Sequence, residues 1–314
     1  MAASKEKKSK GFNSPAVIWK DMRRDRWLYF LLLPGIVFFV IFKYMPIFGL
    51  RIAFMDYNQY APETSTWVGL KHFTRLFTTN SFVPVLINTI KIAGLKLLIG
   101  FPFPIVLALM LNEVTNLKFK KAAQTFLYLP HFVSWVIMAG IVMNLLDPST
   151  GAITQIISKI TGTSVNVLTD TKLFVPMLII SDVYKEVGWG TIIYFAAISG
   201  IDPQLYEAAA IDGAGKWKQC MNITLPSIKP TIIIMLIMNT GNILNAGFDQ
   251  IFMLYTPTVY KVADIIDTYV FRMGIVKADY SFSTAAGMFK SIVAFILVCT
   301  VNQIAKKTDN DSIW

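Results

Sequence analysis

Charge is scarce in this chain, and cysteine and histidine are scarcer still. Of 314 residues only 15% are charged, while 54% are hydrophobic and the mean hydropathy is +0.54. A soluble domain carries roughly 25% charged residues, so a water-facing surface cannot be assembled from so few and the chain belongs in lipid. The two cysteines, Cys220 and Cys299, fall in a predicted cytoplasmic loop and inside an apolar span. They make poor disulfide partners and have no metal-ligand neighbours. His72 and His131 are the only histidines. They supply neither a Ser-His-Asp order in a supporting context nor a zinc-binding pair at helix spacing, and no metal site is expected. Gly213-Ala214-Gly215-Lys216 invites a phosphate-loop reading, but that loop needs an earlier glycine where Ala210 stands and Ser or Thr where Trp217 stands. The chain therefore lacks the means to hydrolyse ATP. Its net charge of +10 comes without a nucleic-acid motif, and the positive residues cluster beside apolar runs.

What is abundant is apolar sequence in lengths near the roughly 20 residues that cross a bilayer. A basic arm, residues 1–27, precedes the first run, Leu28–Phe48. That run is too long for a signal-peptide core and ends Lys43-Tyr44-Met45-Pro46 rather than in small residues, so it reads as an uncleaved span. Ile18, Trp19, Met22 and Trp27 suggest a helix lying on the surface before it. Further spans are placed at Val85–Leu111, Ala122–Leu146, Leu173–Ser199, Thr231–Phe252 and Thr284–Ile304, with kinks expected at Pro102, Pro104 and Pro130. The fold class is thus an all-α integral membrane protein with about six transmembrane helices. Residues 28–305 form one membrane domain and residues 306–314 a tail, with no internal repeat. Lys and Arg number sixteen in the arm, 112–121, 200–230 and the tail, against eight in the alternate loops. The richer side is cytoplasmic by the positive-inside rule, which places both termini inside. The outer loops 51–82 and 253–283 are long and aromatic, fitting a binding role, an interfacial aromatic belt, or both; Asp264 to Tyr269 reads as a short helix there.

The longest polar, helix-patterned insert is Asp202–Pro226. Asp202 is a helix cap with Pro203 at the first helical position, and Glu207, Ala208, Ala209 and Ala210 are good helix formers. Gly213 and Gly215 break the run, and a second short helix is expected from Lys216 to Ile223, ended by Leu225-Pro226. An ordinary amphipathic hairpin would satisfy this pattern. However, Glu207-Ala208-Ala209, Asp212-Gly213-Ala214, Ile223 and Leu225-Pro226 stand at the spacing of the EAA loop, and the segment resembles that loop in permease subunits of ATP-binding-cassette (ABC) importers. A looser likeness to sugar permeases of the type I importer fold, polysaccharide-importing branch, covers nearly the whole chain. Cys220 stands where the family usually has an aromatic, leaving Trp217 as the ring able to serve as anchor. The resemblance implies that the loop docks on an ATPase subunit through Glu207, Ala208, Ala209, Asp212, Gly213, Ala214, Leu225 and Pro226. It also implies a second homologous permease, two ATPases that bind ATP and magnesium, an extracellular sugar-binding protein, and a bacterial cell membrane as the location.

Polar residues inside spans cost several kcal/mol unless they face protein or water. In the fifth span Asn239, Asn242, Asn245 and Asp249 recur at intervals of three, three and four, which places them on one face of the helix. Asp182, Glu186 and Trp189 recur likewise in the fourth, and Trp135 and Asn144 lie in the third. Amides and carboxylates beside flat rings suit a saccharide, whose hydroxyls need donors and acceptors and whose C–H faces stack on rings. The asparagines could equally be glue between helices. Lys91 and Lys96 need a partner or water, and Asp182 or Glu186 is open to Lys96. The reading is a permease for oligosaccharides or polysaccharide fragments. A permease for another solute, an ion-coupled secondary transporter, and an intramembrane enzyme are the alternatives; the last two lack inverted repeats and a catalytic pattern respectively.

Overall fold

The computed structural model describes residues 23–163, 165–241 and 243–309. Ile18, Trp19, Met22, Asn242 and residues 310–314 lie outside them. The chain divides into two units, Met1–Ile52 and Ala53–Trp314. In the first, helix α1 (Arg26–Phe39) runs on through a π turn and a 3-10 stretch to Phe54, 29 residues in all. Pro34 sits within α1 without ending it, and no residue of α1 is buried. A helix apolar on every side has lipid as its matching solvent.

The second unit opens with a small antiparallel pair, β1 (Met55–Asp56) and β2 (Thr66–Trp67), with Met55 opposite Trp67, followed by α2 (Lys71–Thr78). Helices α3 (Phe82–Gly100) and α4 (Pro102–Glu113) make one run of 32 residues. Pro102 occupies the first position of α4, where no N–H is required, and Phe101 still bonds the Leu97 carbonyl at 3.0 Å. At Pro130 the structure departs from a kinked single span. Helix α5 (Leu117–Tyr128), a 3-10 turn (Leu129–Phe132) and α6 (Trp135–Leu145) are bent by 102°. Pro130 removes one helical hydrogen bond, and the Ser134 hydroxyl then caps a fresh helix by accepting from the Ile137 N–H. After α6 the Ser149 hydroxyl and then the Thr150 N–H hold the Asp147 carboxyl well below its ordinary range, and α7 (Ala152–Thr161) follows.

Helix α8 (Phe174–Ser199) has 26 residues, about 39 Å at 1.5 Å per residue, and carries Asp182, Lys185 and Glu186 in its middle. It packs along α3, α4 and α5, which its glycines permit. A Cβ at Gly188 would strike the Leu127 carbonyl of α5, and one at Gly190 would lie 2.9 Å from the Pro104 ring of α4. Small residues are what let membrane helices approach so closely. Then come α9 (Pro203–Ile211), α10 (Lys216–Gln219), α11 (Leu225–Gly241), α12 (Phe248–Leu254), α13 (Tyr260–Ala263), α14 (Ile266–Phe271) and α15 (Tyr280–Asp309). Among the described residues four helical runs are long and apolar enough to cross a membrane, or five if the bent α5–α6 pair counts as one span. The charged α8 is a further long helix. The core gathers Ile92, Phe174, Leu178, Ile251 and Ile265 at one level and Ala108, Tyr194, Ile198 and Ile228 at another.

Two expectations fail here. The fifth span is not continuous to Phe252: α11 stops at Gly241, and α12 begins only after Gly247, whose φ of 95° is open to glycine and strained for other residues. Nor do Leu225 and Pro226 end the hairpin's second helix. A π turn at Cys220–Thr224, closed by the Leu225 N–H on the Cys220 carbonyl, widens the helix just before Pro226, so the ring is accommodated and α10 runs into α11.

Candidate functional site

Two features stand out, a hairpin between α8 and α11 and a cavity lined by those same two helices. In the hairpin the Asp202 carboxylate accepts from the Gln204 N–H at 2.9 Å, and Pro203 is the first residue of α9. The other end of α9 closes with two reciprocal bonds, Ala214 N–H to the Ala209 carbonyl at 2.8 Å and Gly213 N–H to the Ala210 carbonyl at 3.1 Å. This pairing requires a left-handed residue between, and Gly213 supplies it at φ 75°. A side chain at Gly213 would meet nothing within 4 Å, so its constraint inside the chain is conformational rather than steric. The buried Gln219 donates to the Ala214 carbonyl at 3.0 Å, and the Tyr206 hydroxyl lies 2.9 Å from that of Thr224, tying α9 to the π turn. Lys216 reaches Glu113 at 3.5 Å. Both are exposed, and such pairs contribute about 0–1 kcal/mol. Glu207, Ala208, Asp212 and Gly213 are exposed, Ala209 and Ala214 half-buried, and Glu207 forms no ion pair among the described residues. The Trp217 ring is 76% exposed, whereas Cys220 is half-buried.

The cavity measures about 400 Å³, within the roughly 300–1,000 Å³ of small-ligand sites. Asp182, Glu186 and Trp189 of α8, Asn239 of α11, Asn245, and Lys96 of α3 line it. Lys96 finds its partner in Asp182, with Nζ 2.8 Å from Oδ1, and also donates to Gln250 Oε1 at 2.5 Å. Gln250 is wholly buried, its amide committed to the Leu178 carbonyl at 2.7 Å and the Ser181 hydroxyl at 2.9 Å. Lys91 is exposed on α3. The Asn239 amide donates to the Met235 carbonyl of its own helix. Because α11 ends at Gly241, Asn239, Asn245 and Asp249 do not share one helix face. Asn245 and Asp249 line a second cavity instead, with Asn245 common to both. Trp135 and Asn144 line neither. The Trp135 ring lies 5.5 Å from Lys185 Nζ, and Asn144 is exposed.

Several members of this site escape the sequence reading. The His131 ring stacks on Trp189 with centroids 4.4 Å apart and planes 5° from parallel, and its Nδ1 lies 2.7 Å from Glu186 Oε2. The buried Lys185 donates to Glu186 at 3.0 Å and to the His131 carbonyl at 2.8 Å. The turn after Pro130 thus reaches the charged middle of α8. Lys290 of α15 holds Asp267 at 2.6 and 2.7 Å and Asn245 at 2.5 Å. Lys185 and Lys290 carried a signal of their own, since an ionisable residue within a span marks a site by default. His131, within the third predicted span, carried the same signal, whereas the neutral Gln250 carried none, its partners being 69 or more residues away.

Residues 100–308 match the family described as binding-protein-dependent transport system inner membrane component. "Protein LplB" of Bacillus subtilis is 45% identical over 294 residues, 93% of this chain and 92% of that one. The polygalacturonan/rhamnogalacturonan transport system permease protein YteP of the same organism is 45% identical over 309 residues, 95% of this chain and 96% of that one. The crystal structure of a bacterial alginate ABC transporter, in complex with an alginate pentasaccharide-bound periplasmic protein, contains a chain that superposes with a TM-score of 0.85. That chain is 45% identical, with 92% of this chain and 97% of that one covered.

Proposed function

The chain belongs to the binding-protein-dependent transport system inner membrane components, membrane-embedded permeases of ABC importers, and on that premise we propose that it imports oligosaccharides or polysaccharide fragments. One observation carries the mechanism. The Asp202–Pro226 hairpin joins α8 and α11, and both of these helices line the central cavity, α8 through Asp182, Glu186 and Trp189 and α11 through Asn239. A force on the hairpin therefore acts on two walls of the cavity at once. The hairpin can transmit it because its own polar groups are satisfied internally by the Asp202 cap, the Gly213 closure and the Gln219 and Tyr206 bonds.

In the proposed cycle two cytoplasmic ATPase subunits bind ATP and magnesium and close on one another. They carry the hairpins of this chain and of a second, homologous permease, and the bundle rocks between outward-open and inward-open states. Glu207, exposed and unpaired among the described residues, offers its charge to the ATPase cleft, and the bare Gly213 turn lets that surface approach. An extracellular binding protein delivers the saccharide. Within the cavity the carboxylates of Asp182 and Glu186 and the Asn239 and Asn245 amides meet hydroxyls, while Trp189 presents apolar surface to C–H faces. Both termini lie in the cytoplasm, as the loop charges indicate. Gly213→Asp is expected to abolish uptake while the protein still inserts in the membrane, because its side chain projects from the turn rather than into the fold. Normal uptake of a radiolabelled oligosaccharide by that variant would remove the docking role.

A further inference from the structure

The helix break after α11 has chambers on both sides of it. Asn245 and Gly247 line the central cavity and also a second, broader one of about 620 Å³. The second is lined by residues of α12, α14 and α15, and by none of the Asp202–Pro226 hairpin. Two Lys–Asp pairs flank the break. On the central side Lys96 pairs with Asp182, and it stands so close that a Cβ at Gly247 would come within 2.5 Å of its Nζ. On the other side Lys290 pairs with Asp267 and holds Asn245. The second chamber also has rings, Phe248, Phe271 and Tyr280, and one acid with nothing to do in the fold. Asp249 is exposed into it, and among the described residues its carboxylate forms no ion pair or hydrogen bond.

We infer that this second chamber is a separate saccharide subsite, in line with the central cavity, so that the chain holds a sugar chain of several units rather than a single one. The inference rests on the carbohydrate reading above and goes beyond it in site and in substrate length. The chemistry fits a pyranose unit: rings stack on its C–H faces, the Asp249 carboxylate accepts from its hydroxyls, and the Lys290 ammonium donates to its oxygens. The fold leaves Asp249 unused, and a carboxylate facing water with no partner costs nothing to keep until a hydroxylated ligand arrives. Gly247 lines both chambers, and its backbone passes beside Lys96.

The test uses the complete importer in proteoliposomes with neutral and uronic-acid oligosaccharides of two to six units. Asp249→Asn, which breaks no bond of the fold, is expected to raise the KM for five- and six-unit saccharides about tenfold while leaving the KM for two-unit saccharides within twofold. A loss by Asp249→Asn that is equal at every length, or unaltered uptake at every length, overturns the second subsite alone. Failure of the unaltered importer to take up any of these saccharides overturns the carbohydrate reading, and the subsite with it.

Discussion

The hairpin and the central cavity solve the problem of unpaired polar groups in opposite ways. In Asp202–Pro226 nearly every bond closes over a short stretch: Asp202 to Gln204, Ala214 to Ala209, Gln219 to Ala214, and Tyr206 to Thr224 at the widest. In the cavity the bonds that join one wall to another are long-range: Lys96 to Asp182 over 86 residues, Lys96 to Gln250 over 154, His131 to Glu186 over 55. The first can move as one piece with its internal bonds intact. The second exists only while several helices stay in register. A transporter needs both kinds, a stiff handle and a pathway whose walls are held by bonds between the parts that move. The rest of the cavity's character follows from where its charges sit. Lys96 and Lys185 are largely shielded from solvent, so their pairs act at low dielectric, and leaving either partner alone is costly.

The contrast can be broken most sharply at Gly188. Valine there would drive a side chain into the Leu127 carbonyl, a backbone atom that cannot step aside, and separate α8 from α5. Overpacking costs about 1–3 kcal/mol where side chains can shift and more where a backbone atom is struck, and the expected result is loss of a monodisperse, folded protein on size-exclusion chromatography. The effect at Lys96 is next. Lys96→Met strands Asp182 and the Gln250 carbonyl, and removing one partner of a buried pair costs about 3–5 kcal/mol. Adding Asp182→Leu should recover part of that loss, measured as a double-mutant cycle on thermal unfolding in detergent; additive losses would mean the two are not coupled. The hairpin supplies the smallest effect. Asp202→Ala removes one cap bond and should cost about 1 kcal/mol, with no coupling to Lys96→Met in a combined variant. Coupling between them would show that the handle and the pathway are not energetically separate.

The interruption between α11 and α12 shows why reading periodicity has a limit. Asn239, Asn245 and Asp249 keep helical spacing on paper, yet α11 stops at Gly241 and α12 starts after Gly247, so Asn239 lines one cavity, Asp249 another, and Asn245 both. The amide-rich stretch could be seen, but the break could not, because a helix in a membrane tolerates glycine and its fate depends on what lies beside it. Here that neighbour is Lys96, which needs the room that Gly247 leaves. Pro226 teaches the converse. A proline that should stop a helix is absorbed by a π turn, whose cost is set off by the packing of α11 against α8 and α15.

What the residues settled alone was whatever depends on neighbours in the chain. The apolar runs required lipid, and Asp202-Pro203 and Gly213 specified a capped helix and its left-handed close. Tertiary structure decided which ionised groups meet: Lys96 with Asp182, His131 with Glu186 and Trp189, Lys290 with Asp267 and Asn245. The physical reason is that a cap or turn is satisfied by atoms a few bonds distant. A charge buried in a bundle takes its partner from whichever helix comes to lie against it, and that is decided by packing between segments far apart in the chain.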